Sequence, residues 1–422
     1  MEIRLILAAL RRHKLTAALL VLQVAFTCAI VTNAVFLIVQ RIQQVTVPSG
    51  LDEKGLSIVT VDDLDAGANP LNLHRADLAA LRQLPGVEAA AIVSRVPFGE
   101  DEVGTVACGS LAAGHAAMRA HATVPGCAVV GEYAGGLGSL RTLGVELVAG
   151  RDFRADEYVA PKPGQSTLLP AVIISRALAA QLFPAHPDRA VGQVVYYGMD
   201  GLMKGQGSRV VGVMAQLRGM AVGGEGPADS SALVPVEPTG NEVRFALRSQ
   251  PADRARVLQK AVATLAKLRP QREISAGDSK TYAQVRAAYF NRDTTMIGLL
   301  LAAALGLLFV TALGIAGLAN FWVGQRTRSI GIRRALGATR ANILRYFQAE
   351  NFLIVTAGIV MGALLAIGLN LLLMQDYEVP RLPLWYLPVG AAALWILGQL
   401  AVLAPARHAA RVPPLLATRS AA

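Results

Sequence analysis

The chain has 422 residues, enough for two or three domains, with 53% hydrophobic residues and a formal net charge of +11. Its apolar residues concentrate in the first 40 positions and after Met296, whereas 41–290 has the mixed composition of a water-soluble domain. The distribution predicts a membrane protein with a large water-facing insert. In a soluble protein this charge would indicate nucleic-acid binding. Here much of the excess lies beside apolar segments, so membrane topology explains it and we expect no nucleic-acid partner.

The first apolar segment predicts a retained membrane helix. Residues 1–14 form a short amphipathic segment with a basic end, and the 26 residues of 15–40 carry no formal charge. As a helix they would reach about 39 Å, more than the ~30 Å hydrocarbon core of a bilayer. A secretory signal would have an apolar region of about 7–15 residues and a small-residue cleavage site. This segment is longer and lacks such a site, so we predict a membrane helix.

Three further membrane helices are predicted after the insert, at 296–322, 351–374 and 384–404. Basic residues cluster before 15–40, within 323–350 and in the tail 405–422, whereas the loop 375–383 carries only one. Lys and Arg favour the cytoplasmic side of a membrane. We therefore predict that both termini and 323–350 are cytoplasmic, and that 41–295 and 375–383 lie outside.

The insert predicts an α+β domain of two lobes. Strand and helix patterns alternate at both of its ends, at 55–63, 73–87 and 88–98, and again at 242–249, 251–268 and 272–278. These patterns predict one lobe assembled from 45–98 and 236–290. The residues between them, 99–235, would form an inserted second lobe.

Two cysteines of the insert, Cys108 and Cys127, lie 19 positions apart. A compartment outside the cytoplasm permits a disulfide, and the sequence leaves a bridge and two unpaired thiols both open. Neither a C-x-x-C motif nor a Cys/His metal spacing occurs, so we expect no metal site.

No enzyme motif occurs in the sequence. The phosphate loop G-x-x-x-x-G-K followed by Ser or Thr is absent, as are G-x-S-x-G and H-E-x-x-H. We predict no catalytic residue and no cofactor site. The apolar segments have no Asp, Glu, Lys or Arg in mid-span, which disfavours a proton relay. Their uncharged polar residues are expected to hydrogen-bond between helices, beside close packing of small residues.

The stretch QRTRSIGIRRALGATRANILRYFQAE, 325–350, carries six arginines and no acid before Glu350. It is either a solvated loop that fixes orientation or an element that a partner binds. Small and apolar residues lie among its arginines, at Ala335, Leu336, Gly337, Ala338 and Ile343. A solvated loop does not need them, so the pattern favours binding.

The order of segments resembles that of MacB-type and FtsX-type ABC transporter permeases over almost the whole chain. In the insert the resemblance rests on GVELVAGRDF, AVIISRALAAQLF, VGQVVYYG and VVGV. In the membrane half it rests on 325–350, which is similar to the sequence motif R-x-x-E-I-G-x-x-R-A-x-G-A-x-x-x-x-I of that family. Ser329 occupies the position of the acidic residue in that motif, so a salt bridge made by the acid is either absent here or made by another residue.

The resemblance implies four transmembrane helices and an extracytoplasmic α+β domain with a porter-like and an inserted lobe, in a bacterial inner membrane. It implies a permease subunit that is no enzyme, with ATP and Mg²⁺ bound by a separate ATPase subunit. A short coupling helix around Arg333–Arg345 would dock on that subunit. Its contact residues would be Arg333, Arg334, Ala335, Leu336, Gly337, Ala338, Thr339, Arg340 and Ile343.

The resemblance also implies a second permease subunit, identical or different, and transmission of ATP-driven motion to the outer domain. We favour export of a peptide or hydrophobic compound, with a periplasmic adaptor and an outer-membrane channel completing the route. Two alternatives stay open: extraction of lipoproteins, and a non-transporting scaffold that regulates a cell-wall hydrolase.

Overall fold

The computed structural model describes residues 14–63, 69–99, 104–161, 168–219, 229–270, 272–274, 277–377 and 381–411. It divides into two compact units: the membrane unit (Met1–Thr46 with Arg292–Ala422) and the insert domain (Val47–Asn291). The predicted N-terminal segment 1–14, except Lys14, and the tail beyond 411 lie outside the described residues.

The helices are α1 (Lys14–Val45), α2 (Pro70–Arg82), α3 (Leu111–Ala120), α4 (Ser139–Leu143), α5 (Arg176–Leu182), α6 (Gly198–Lys204), α7 (Arg254–Leu268), α8 (Tyr282–Tyr289), α9 (Asn291–Ala335), α10 (Arg340–Tyr377) and α11 (Tyr386–Ala410). The strands are β1 (Leu56–Asp62), β2 (Val87–Val93), β3 (Gly104–Cys108), β4 (Cys127–Ala134), β5 (Leu147–Gly150), β6 (Ala171–Ser175), β7 (Val194–Tyr197), β8 (Ser208–Met214), β9 (Ser231–Val234), β10 (Glu242–Ser249), β11 (Glu273–Ile274) and β12 (Lys280–Thr281).

Within the described residues, four helices are long and apolar enough to cross a membrane: α1, α9, α10 and α11. Each contains most or all of one predicted apolar segment, and α9 runs beyond both ends of 296–322 over 45 residues. Small residues bring α1 and α10 together: a Cβ at Gly358 would lie 2.7 Å from the Val24 side chain, and one at Gly362 would lie 2.5 Å from that of Cys28.

Polar side chains inside the membrane unit bond between helices. The hydroxyls of Thr27 on α1 and Thr311 on α9 are 2.7 Å apart, and Asn33 Nδ2 donates to the Ala366 carbonyl of α10 at 3.0 Å. Such bonds satisfy groups that hydrocarbon cannot.

Strands from both ends of the insert domain share the smaller sheet. Its order is β11-β1-β10-β2, with β12 also on β1, and all pairings are antiparallel. Along β1 the residues alternate, so Val59 and Val61 join Leu81 of α2 and Leu265 of α7 in a buried cluster on one face. Two carbonyls of β2, at the outer edge of the sheet, accept hydrogen bonds: that of Ala90 from Arg82 Nε at 3.0 Å, and that of Ile92 from the Gly136 N–H at 2.9 Å.

The larger sheet closes on itself. Its order is β5-β8-β6-β9-β4-β3-β7, and β7 also pairs with β8, so six strands form a ring with β5 outside it. Closure removes free edges from these six strands. The predicted fold class, four membrane helices with an α+β insert of two lobes, is confirmed.

A disulfide joins Cys108 of β3 and Cys127 of β4, which are directly paired residues of the larger sheet. Both cysteines are buried. Of the two alternatives that the sequence left open, the structure has the bridge.

A buried cluster of charged side chains fastens the last part of the insert domain to the first. Arg272 donates to both carboxylate oxygens of Asp77, at 2.8 and 3.2 Å, and its Nε is 3.4 Å from an Asp63 oxygen. His74 Nε2 lies 3.8 Å from Asp63. Burial lowers the pKa of His74, so the ring is held neutral among these charges. Since Asp77 and Arg272 are 195 positions apart, the pair links distant segments.

Candidate functional site

The arginine-rich stretch 325–350 is a helical hairpin, which we call the arginine hairpin. Helix α9 ends at Ala335, and Gly337 follows with φ of +100°. The Gly337 N–H donates to the Arg334 carbonyl at 3.2 Å, and the Ala338 N–H donates to the Arg333 carbonyl at 3.0 Å. These two hydrogen bonds together form a Schellman motif, in which glycine takes the left-handed position after the helix. The chain therefore reverses at Gly337.

The next helix starts at once. Thr339 caps α10, since its Oγ1 accepts from the Asn342 N–H at 3.2 Å. The predicted short helix around Arg333–Arg345 is thus wrong: residues 333–335 close α9 and residues 340–345 open α10. The cause is the left-handed glycine, which ends one helix only two residues before the next cap.

A groove of about 300 Å³ lies between the two helix ends. Its floor is apolar and buried, with Ile330, Ile343 and Phe347 each 4–5% exposed. Leu336 stands at the rim with 83% of its surface exposed. The remaining lining residues are Arg326, Ser329, Arg333, Ala338, Asn342 and Tyr346.

The charge of the hairpin is only partly compensated within the chain. Arg326 Nη1 bonds both carboxylate oxygens of Glu350, at 3.0 and 2.8 Å, and the Glu350 side chain is 2% exposed. The guanidinium carbon of Arg333 lies 5.0 Å from the Tyr346 ring centroid, a cation–π contact. Ser329 Oγ donates to the Arg326 carbonyl at 2.8 Å and brings no charge. The acidic partner of Arg326 is therefore Glu350.

The rim of the groove is cationic. Within the described residues, no ion pair is formed by Arg328, Arg333, Arg340 or Arg345. Of these four, only Arg333 lines the groove. An apolar floor beside this charge fits an apolar projection that carries an acidic side chain.

The structure divides the predicted contact residues by exposure. The exposed ones are Arg333, Ala335, Leu336, Gly337, Thr339 and Arg340, and the half-buried ones are Arg334 and Ala338. Ile343 is buried and belongs to the floor of the groove, so it does not project with Leu336. Sequence reasoning missed Tyr346 and Phe347. Their spacing of three and four positions from Ile343 places all three on one helix face, which is the signal that would have found them.

No group of three or more His, Cys, Asp or Glu side chains in the described part of the chain is arranged to hold a metal ion.

Two family descriptions together cover most of the chain. "MacB-like periplasmic core domain" matches residues 17–287, and "FtsX-like permease C-terminal" matches residues 301–414. The chain belongs to the MacB/FtsX family of ABC transporter permeases. As a member of that family with four apolar helices, it is a membrane protein.

Similar members of the family include two export proteins. The chain is 30% identical over 264 residues to the macrolide export ATP-binding/permease protein MacB of Nitrosomonas europaea, covering 60% of this chain and 38% of that protein. It is 26% identical over 351 residues to MacB of Agrobacterium fabrum, covering 79% and 49%. The chain thus spans less than half the length of these two relatives.

A third relative has a more similar length. The ABC transporter permease YknZ of Bacillus subtilis is 25% identical over 300 residues, covering 67% of this chain and 68% of YknZ. Among solved structures, the extracellular domain of a YknZ transporter matches 52% of this chain and 98% of its own, with 15% identity and a TM-score of 0.31. The periplasmic region of MacB from Actinobacillus actinomycetemcomitans matches 59% and 99%, with 12% identity and a TM-score of 0.33.

Proposed function

We propose that this permease transmits the motion of a cytoplasmic ATPase to the insert domain, and that the arginine hairpin is the element on which the ATPase acts. The observation that carries the proposal is the groove at the hairpin, with its apolar floor, cationic rim and exposed leucine. ATP and Mg²⁺ would bind on the ATPase, since the sequence has no phosphate loop.

The exposed side chains of the hairpin support a protein partner. Burying a leucine side chain that is 83% exposed contributes about 1.5–3 kcal/mol to binding. The arginines around it would pair with acidic side chains and set the orientation of the partner. A loop that only fixes membrane orientation needs the arginines but not Leu336 or the groove.

The long helix α9 supports transmission. It is one helix of 45 residues from Asn291, where the insert domain ends, to Ala335 at the hairpin. At 1.5 Å per residue it spans about 68 Å. Since it is unbroken, a push on the hairpin reaches its other end as a displacement of the whole helix. A second permease subunit, identical or different, would complete the pair on which two ATPase subunits act.

The proposed activity is export by movement of the insert domain, outside the membrane. The four apolar segments have no charged residue in mid-span to line a polar path. Two relatives carry the name of macrolide export proteins. We infer a peptide or hydrophobic compound as cargo, delivered through a periplasmic adaptor and an outer-membrane channel. Capture of a lipoprotein carrier or a cell-wall hydrolase by the full chain would instead favour one of the two alternatives.

The test is copurification of the ATPase with Leu336→Asp, which keeps both helix caps and charges the rim. We expect at least a tenfold loss of bound ATPase and of the ATPase activity of the complex. The matched control is Leu268→Asp, at a leucine that is 51% exposed in the insert domain, and it should change neither. Undiminished coupling after Leu336→Asp and after deletion of 334–340 would overturn the proposal.

A further inference from the structure

The smaller sheet of the insert domain carries a cavity of about 440 Å³ on the face opposite α2 and α7. Its floor includes Thr60 and Asp62 of β1, and its walls include Tyr289 of α8 with Arg95 and Phe98 of the loop after β2. The volume is within the range that ligand pockets occupy, roughly 300–1,000 Å³. The coupling proposal does not use this cavity.

Arg95 brings a positive charge to the wall of the cavity. Its Nε and Nη1 atoms are shielded from solvent, and neither has a hydrogen-bond partner in the described part of the chain. Arg244 nearby is satisfied, since its Nη1 donates to the Ser94 carbonyl at 2.8 Å and its Nη2 pairs with Glu242. A shielded donor without an acceptor is costly. Arg95 is therefore arranged to meet an oxygen atom of a ligand, best a charged one.

Three carboxylates lie in one row across the floor. In the register of the sheet, Asp62 is opposite Glu242 on β10 and opposite Glu273 on β11. Side chains at paired positions point to the same face, where adjacent like charges repel. Arg244 compensates Glu242, whereas Asp62 and Glu273 form no ion pair with a described residue. This row favours a cationic group on the ligand.

The aromatic wall is held in a fixed conformation. Phe98 has φ of +61°, in the left-handed region that bulky residues rarely adopt. Its ring centroid lies 5.3 Å from that of Tyr289, and the Arg286 guanidinium carbon lies 4.9 Å from it. The Tyr282 hydroxyl donates to the Pro97 carbonyl at 2.9 Å. Strained backbone persists where its surroundings enforce it, and it concentrates at binding sites.

We propose that this cavity binds a short zwitterionic peptide. Its ammonium group lies at the row of Asp62, Glu242 and Glu273, its carboxylate meets Arg95, and an apolar side chain packs on Phe98 and Tyr289. A zwitterionic lipid headgroup shares both charges, and the titration below distinguishes it from the peptide. Binding requires only residues of the insert domain. That the peptide is transported cargo rests on the proposed function.

The test is calorimetric titration of the full chain in detergent with the tripeptide Ala-Phe-Ala. We expect saturable binding of the peptide with free termini, and at least tenfold weaker binding of its N-acetylated and its C-amidated forms. Arg95→Gln should abolish the preference for a free carboxylate while keeping the effect of acetylation. The matched control is Arg119→Gln, at an exposed arginine of α3 outside the cavity, and it should bind as the unchanged chain does.

Three outcomes would overturn the proposal: no saturable binding, equal binding of the free and blocked peptides, or an undiminished carboxylate preference in Arg95→Gln. Arg95-dependent binding of phosphatidylethanolamine vesicles with no binding of the peptide would replace the peptide by a lipid headgroup. Thermal unfolding of each variant shows whether it is folded. Because the titration contains no ATPase, its result is independent of the coupling proposal.

Discussion

The insert domain and the arginine hairpin differ in how far their own residues satisfy their polar and apolar groups. In the insert domain six strands close into a ring, the edge of β2 accepts from Arg82, and the buried Arg272 bonds both oxygens of Asp77. In the hairpin Leu336 is 83% exposed and most arginines have no acidic partner among the described residues. The first region pairs its buried carboxylates and arginines internally, and the second leaves a large apolar side chain and several charges exposed.

This difference suggests a division of roles. A closed ring of strands and buried ion pairs resist local opening, because opening would expose unpaired groups. A hairpin held by one glycine motif and one threonine cap keeps a defined shape while its outer surface stays available. Arg95 differs from these buried pairs, because two of its shielded nitrogens have no acceptor among the described residues and it lines a cavity, which is why we assign the cavity a ligand.

The largest effect is expected for Asp77→Ala. Removing this carboxylate leaves the Arg272 guanidinium, whose side chain is 1% exposed, without its bidentate partner. Breaking a buried pair in this way lowers the free energy of unfolding by about 3–5 kcal/mol. Hydrogen exchange of the β1 and β10 amides measures the loss.

The control for this variant is Asp253→Ala, because Asp253 pairs with Arg256 on the surface. Its effect should stay below about 1 kcal/mol. If Asp77→Ala is as mild as the control, the buried cluster does not hold the two ends of the insert domain together, and the comparison fails.

An intermediate effect is expected for Gly337→Ala. A Cβ at φ of +100° is strained, and left-handed backbone costs an L-residue roughly 1–2 kcal/mol. The amide of Ala338, which closes the Schellman motif, should therefore exchange about five- to thirtyfold faster. Exchange in the insert domain should not change.

Gly324→Ala is the matched control, since Gly324 lies inside α9 and no atom would lie within 4 Å of its Cβ. Alanine there should be neutral or slightly stabilising. Equal rates for Ala338 in both variants would show that the left-handed glycine does not define the hairpin.

The smallest effect is expected for Glu157→Gln at the rim of the larger sheet. Arg151 bonds both Glu157 oxygens, at 2.8 and 2.5 Å, and lowers the pKa of this carboxyl from 4.5 to about 2. Because the folded pKa lies below the unfolded one, the pair stabilises the fold fully above pH 4.5 and loses this contribution as the pH falls towards 2. Since Arg151 is 38% exposed, we expect about 1 kcal/mol or less.

Thermal unfolding at pH 7 and pH 3 measures the difference in stability between Glu157→Gln and the unchanged chain. This difference should be smaller at pH 3 than at pH 7. A difference that grows at low pH would contradict the assigned direction of the pKa shift.

Local patterns predicted the elements but not all of their ends. The uncharged length of 15–40 predicted α1, and the strand and helix patterns at both ends of the insert predicted its smaller sheet. The hairpin was mispredicted as a short helix, although Gly337 and Thr339 are the usual residues of a helix end and a helix start. The end of α9 and the start of α10 lie so close together that the sequence reads as one continuous helix, because apolar residues continue at helical spacing from Ile332 to Ile343.

By itself the sequence determined the four membrane helices, the two-part insert and the family, because apolar length, charge clusters and periodicity are properties of neighbouring residues. Only the tertiary structure decided which groups meet. Asp77 and Arg272 are 195 positions apart, and the carboxylate row at Asp62 exists only in one strand register. The groove at Leu336 and the two Arg95 nitrogens without an acceptor among the described residues likewise depend on packing, because they are defined by which side chains lie next to them.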